Sequence, residues 1–178
     1  MEWETIKFRS KIRDVLVTLY PNFRIKDDAK VLLENILNRC AFLMSKSTFQ
    51  VTNGNFIDTI TSFLPGELKT FAKKEAKKAN TSVQIFKFPF FINQDNNLNI
   101  SDKDLASKQA NIVLEFICLE ILESAGKVTI SKSRITISPD DIIKAIEGDE
   151  ELKDLYEELR KIPTGVQINM EEFANLKI

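Results

Sequence analysis

The residues best placed to do chemistry in this chain are charged, because the usual reactive types are missing. There is no histidine among 178 residues, which removes the commonest general base and metal ligand. Cys40 and Cys118 lie inside apolar stretches and read as buried free thiols rather than a disulfide or a metal pair. With 5 glycines the chain has little material for a phosphate-cradling loop, and no nucleophile elbow or paired-cysteine pattern occurs. No enzyme, cofactor or metal site is expected. What remains is clustered charge. The segment "FLPGELKTFAKKEAKKAN" (63–80) sets Lys69, Lys73, Lys74, Lys77 and Lys78 beside Glu67 and Glu75. Further on, Glu115, Glu120 and Glu123 fall on one side of a helical stretch, and Asp149, Glu150 and Glu151 follow Gly148. Such lysines suit a solvated helix face, DNA or a ubiquitin-like partner. Carboxylates clustered in space suit bidentate recognition of arginine.

Charge is unevenly shared along the chain. Residues 1–80 carry 14 Lys+Arg against 9 Asp+Glu, whereas residues 81–178 carry 11 against 17. One half can face a polyanion while the other repels it or attracts a basic partner. A hydrophobic fraction of 43% and a charged fraction of 29% are those of a globular protein, and 5 Gly with 5 Pro point to a helix-rich one. No apolar run reaches the ~18 residues of a membrane span, and "MEWETIKFRS" lacks the apolar core of a signal peptide. An intracellular or packaged protein with no membrane partner is therefore expected.

The elements that must position these charges come in two similar sets. "KIRDVLVTLY" places Ile12, Val15, Leu16 and Leu19 at helical spacing and ends at Pro21. After "PNFRI", "DDAKVLLENILNRCAFLMSK" predicts a long amphipathic helix with Asp27 and Asp28 at its favourable N-terminal end. "STFQVT" is short and β-prone, and "NGNFIDTITSFL" is a brief helix closed by Pro65-Gly66. The second set repeats the order. "SDKDLASKQANIVLEFICLEILESAG" is a long apolar-periodic helix, "VTISKSRITI" a β-branched, strand-like loop, and "SPDDIIKAIEG" a short helix. Ser138 is its N-cap, Pro139 its first residue and Gly148 its terminator. Neither long helix has enough neighbours in its own set to bury its stripe, so the two sets are expected to cross at their long helices. The fold class this predicts is all-α, a pseudo-twofold pair within one chain.

"LPGEL" followed by a lysine-studded helix resembles the end of the histone fold and the extra C-terminal helix of histone 2B. "VLVTLYPNFRI" is similar to that histone's first helix and loop. "VLEFICLEILESAG" and "ISPDDIIKAIEGDEEL" resemble histone 2A from its long helix through its third helix, and "TGVQINM" faintly resembles its docking tail. A 2B half fused ahead of a 2A half is similar to the histone doublets of giant DNA viruses of the marseillevirus kind, here short and nearly tail-less. The resemblance implies two tandem histone folds in an intramolecular 2B–2A handshake. Residues 1–80 would form the 2B-like fold with its C-terminal helix, 81–91 a tether, 92–159 the 2A-like fold and 160–178 the docking-tail-like end. It also implies an acidic patch binding basic peptides, formed by Glu67, Glu75, Glu115, Glu120, Glu123, Asp149, Glu150 and Glu151. Taken singly, Asp149 to Glu151 read as helix N-terminal stabilisers and Glu115, Glu120 and Glu123 as a solvated face.

Histone octamers hold phosphates with helix N-termini, main-chain amides and minor-groove arginines, reading deformability rather than bases. By resemblance, DNA contacts fall on Lys11 and Arg13 of the first helix, Arg24 and Lys26 of the first loop, Lys46 and Thr48 towards the second, and Lys132, Arg134 and Thr136 in the second half. The chain also departs from the pattern. Thr48 and Thr136 stand at minor-groove arginine positions, and "FPFFINQDNNLNIS" aligns with an arginine-rich helix yet carries no basic residue. Basic tails are missing, and the first long helix is short by about ten residues, or ~15 Å. The expected function is sequence-independent wrapping and compaction of double-stranded DNA with a histone 4–3 doublet or histones 3 and 4. The resulting particles would be weak and salt-sensitive, in a virion and the host nucleus or a viral factory. The competing expectation is a histone-fold interaction scaffold that binds basic proteins and never wraps DNA, which the net charge of −1 favours.

Overall fold

The computed structural model describes residues 6–48, 55–80, 86–89 and 103–162. In order these form α1 (Arg9–Leu19), β1 (Arg24–Ile25), α2 (Asp27–Thr48), α3 (Phe56–Ile60), α4 (Gly66–Lys77) with a closing 3-10 turn (Lys78–Asn80), α5 (Lys103–Ser131), β2 (Thr136–Ile137), α6 (Pro139–Glu147) and α7 (Glu150–Arg160). The described chain is thus mostly helical, as expected. The first half's second loop, most of the tether and of the stretch "FPFFINQDNNLNIS", and the docking-tail-like end beyond residue 162 lie outside the described residues.

Local chemistry accounts for most boundaries. In α1, Ile12, Val15 and Leu16 are buried at helical spacing, and the Tyr20 amide closes the last turn on the Leu16 carbonyl at 2.8 Å before Pro21. Asp27 and Asp28 occupy the first turn of α2, where a carboxylate offsets the exposed amides. Pro65 and Gly66 separate α3 from α4, and Gly66 sits at φ +38°, a left-handed value that favours glycine. At α6 the Asp141 carboxylate accepts the Ser138 amide and hydroxyl, both at 2.9 Å, with Pro139 as first helical residue.

One expectation is corrected. "VTIS" (128–131) is not strand-like but the last turn of α5, a 29-residue helix. Buried Thr129 donates its hydroxyl to the Ala125 carbonyl at 2.9 Å, so its polar group is satisfied inside the helix and packing overrides the β-branched preference. The chain leaves the helix axis only at Ser133, at φ +54°.

A single hydrophobic core takes residues from both halves. Ile12, Leu33, Ile36, Leu37 and Met44 belong to it with Leu114, Ile117, Ile121 and Ile142. α2 packs on α5, α6 and α7, and α4 packs on α5 and α7, so each long helix buries its stripe against the other half. Polar joints pin the same seam. β1 and β2 pair in parallel with Arg24 opposite Thr136 and Ile25 opposite Ile137. The Arg24 and Lys26 amides donate to the Ile135 and Ile137 carbonyls at 2.9 and 3.0 Å. Arg39, buried in α2, donates to the Leu159 carbonyl at 2.7 Å. Tyr20 donates its hydroxyl to the Glu123 carbonyl at 2.9 Å, and its ring lies against Gly126, where a Cβ would come within 2.2 Å. Cys40 and Cys118 are free and buried, and burial pushes both thiols far above their ordinary range.

Candidate functional site

Two charged regions occupy different parts of this frame. The first is built on the β1–β2 joint. Because β1 precedes α2 and β2 follows α5, their pairing brings together cations that are about a hundred residues apart in sequence. Arg24 and Lys26 are exposed along β1. Lys132 lies in the turn after α5, Arg134 follows it, and half-buried Thr136 stands opposite Arg24. Here the structure adds something the sequence did not suggest. Lys132 Nζ lies 2.6 Å from Asp141 Oδ1 and 2.8 Å from Asp140 Oδ2, and Arg134 Nη2 lies 2.7 Å from Asp141 Oδ1. Lys144 of α6 also reaches Asp140, at 3.2 Å.

The two aspartates differ in burial. The Asp141 side chain is 0% exposed, that of Asp140 60%. Burial works to raise the Asp141 carboxyl, but Lys132 and the Ser138 amide and hydroxyl outweigh it and hold it at about 2. The Asp140 carboxyl is lowered by Lys132 and then Lys144. Arg24 and Lys26, by contrast, have no ion pair among the described residues. An anion approaching this edge therefore meets two cations directly and two already matched by carboxylates.

The remaining DNA candidates lie elsewhere. Lys11 and Arg13 are on α1, Lys11 within 3.8 Å of Asp14 and Arg13 exposed. Lys46 is exposed in the last turn of α2 and Thr48 ends that helix. Some 20 residues of helix, ~30 Å, separate Lys46 from Lys26.

The second region lies where α4, α5 and α7 meet. Glu151, partly exposed, reaches with its carboxylate onto the first turn of α4. Oε1 accepts the Glu67 amide and Oε2 the Leu68 amide, both at 2.6 Å. This satisfies orphan amides at the N-terminus of a helix from the other half. Asp149 caps α7 itself, accepting the Leu152 amide at 2.9 Å. Glu120 is half-buried, and burial followed by the nearby charges of Glu123 and Asp149 pushes its carboxyl up, partly offset by Lys127. Glu123 pairs with Lys127 at 2.8 Å, and Glu75 with Lys78 at 2.6 Å. Glu150 is exposed.

Glu120, Glu123 and Asp149 thus lie close enough to act on one another electrostatically, and Glu151 meets the Glu67 backbone across the seam, with Glu67 and Glu150 exposed beside them in sequence. Glu75 lies two turns further along α4. Glu115 is different: it is only 7% exposed, beneath the surface rather than on it. The helix-N-terminus reading holds for Asp149 and Glu151, whereas the solvated-face reading holds only for Glu123, Glu120 being half-buried and Glu115 buried. The sequence signalled the Asp149 cap through its position after Gly148. It had no signal for the other, because the helix that Glu151 caps begins 85 residues earlier.

Among the described residues, no group of acidic or cysteine side chains is arranged to hold a metal ion. No helix there is long and apolar enough to cross a membrane. Compared with known proteins, the chain matches no family model and no curated protein.

Proposed function

We propose that the chain is a histone-doublet-like DNA-packaging protein, two tandem histone folds clasped within one polypeptide, which joins a histone 4–3 doublet to wrap double-stranded DNA. The observation that carries this reading is the parallel β1–β2 joint. It places Arg24, Lys26, Lys132, Arg134 and Thr136 at one edge of a core shared by both halves. Cations gathered in this way suit phosphates irrespective of base sequence. The acidic residues of α4, α5 and α7 are a separate set from these cations and would serve basic peptides.

Reconstitution tests the reading. The chain, a histone 4–3 doublet and duplex DNA are mixed and digested with nuclease over a range of low salt. A protected fragment is expected, weakened by R24Q and K26Q, each of which should flatten the salt dependence of binding by about one unit. No protection at any salt refutes it.

A second reading, an interaction scaffold that binds basic proteins and leaves DNA alone, has one observation in its favour: Lys132 and Arg134 are already engaged by Asp140 and Asp141. Filter binding to duplex DNA separates the two. Retention only with the partner doublet supports packaging, and none in either case supports the scaffold.

A further inference from the structure

The ion pairs at the β1–β2 edge have a consequence for how firmly DNA is held there. Asp141 is a structural group: its side chain is fully buried, it caps α6 through Ser138, and it anchors Lys132 and Arg134. Asp140 shares only the pairing with Lys132. Its side chain is 60% exposed, it makes no cap bond, and its partners are the ammonium groups of Lys132 at 2.8 Å and Lys144 at 3.2 Å. It stands where a phosphate oxygen would stand if it bridged the same two lysines. A carboxylate there occupies the cations and also places a negative charge beside the path of the approaching backbone.

We infer that Asp140 is a built-in competitor for phosphate, which sets how tightly Lys132 and Lys144 of this edge hold the DNA backbone. The inference rests on the packaging reading and deepens it. Exposed ion pairs are weak, so a phosphate can displace Asp140 from the lysines. The displaced carboxylate remains on the same turn of α6 and continues to repel. The chain therefore carries its own attenuator, and its grip on DNA is weaker than its count of basic residues implies.

The test is D140N in the full chain with the histone 4–3 doublet, titrated against duplex DNA by fluorescence anisotropy at several salt concentrations. D154N, an exposed aspartate on α7, makes the same change in net charge elsewhere. D140N should bind roughly threefold to tenfold tighter at ~0.1 M salt, with a log–log salt slope steeper by about one. D154N should change affinity less than about twofold. The gain should fall by at least half in D140N/K132Q/K144Q measured against K132Q/K144Q, leaving only the direct repulsion. Circular dichroism should show the same helix content in every variant, since the α6 cap is made by Asp141.

If the parent chain binds and D140N gains no more than D154N, the competitor role is wrong while packaging stands. It is equally wrong if the gain is undiminished when both lysines are removed. If neither the parent nor D140N binds DNA at any salt, packaging and competitor fall together.

Discussion

Removing the Glu151 carboxylate should loosen the joint between the two halves by an amount that the geometry allows to be worked out. Glu151 accepts two backbone amides of α4 at 2.6 Å each. Losing an N-cap acceptor costs ~1 kcal/mol; an ionised acceptor at a helix N-terminus adds ~0.3–1 kcal/mol. E151A should therefore destabilise the chain by about 2 kcal/mol, a fall in Tm of roughly 4–8 °C at this chain length. E151Q, which keeps one acceptor oxygen, should lose about half as much. Gly66 supplies the internal control. A Cβ there would lie 2.0 Å from Glu151 Oε1, at φ +38°, so G66A both expels the carboxylate and strains the backbone. Left-handed strain is ~1–2 kcal/mol, which makes G66A cost about 3–4 kcal/mol alone. In E151A there is no carboxylate to expel, so only the strain remains. The double variant should then be less destabilised than the sum of the singles by about 2 kcal/mol. Urea denaturation of all four chains, followed by circular dichroism, measures this coupling. Additivity within ~0.4 kcal/mol, or an E151A chain as stable as its parent, would refute this role of Glu151.

Two further outcomes follow from the same seam. The Asp141 carboxyl is held at about 2 in the fold, against an ordinary 3.8. The unfolded chain therefore binds the extra proton, and the stabilisation present above about pH 4 is lost as pH falls towards 2. D141N should cost about 2–3 kcal/mol at neutral pH and flatten that acid limb, as read by urea titrations at several pH values. G126A puts a methyl 2.2 Å from the Tyr20 ring and should cost about 1–2 kcal/mol, overpacking outweighing the helix propensity gained. In a Y20A background the same change should be neutral or stabilising, which paired thermal melts would show.

What the sequence made legible was local. Apolar spacing at Ile12, Val15 and Leu16, the Ser138-Pro139 start and the Pro65-Gly66 break each report on neighbours within a turn or two, and the helices there form as expected. The Val128–Ser131 turn was misread because β-branched residues speak for strand unless burial overrules them, and burial is not a local property. The charged sites divide in the same way. Asp149 as a helix cap could be seen from its place after Gly148. Glu115 could not be known to lie under the surface, since it shares one side of the helical stretch with half-buried Glu120 and exposed Glu123. Nor could Lys132 be paired with Asp140, because a helix end, a left-handed serine and a two-residue strand intervene. Sequence types name which groups carry charge. Only the folded chain says which of those charges are already spent.

The seam between halves also dictates when the protein can exist at all. During synthesis the first half leaves the ribosome with Leu33, Ile36 and Leu37 uncovered, since their partners on α5 have not yet been made. At roughly 5–20 residues per second, that apolar stripe waits on the order of ten seconds for the C-terminal half. A nascent chain in that interval is a substrate for chaperones, and one truncated before α5 would be left with a sticky helix and no mate.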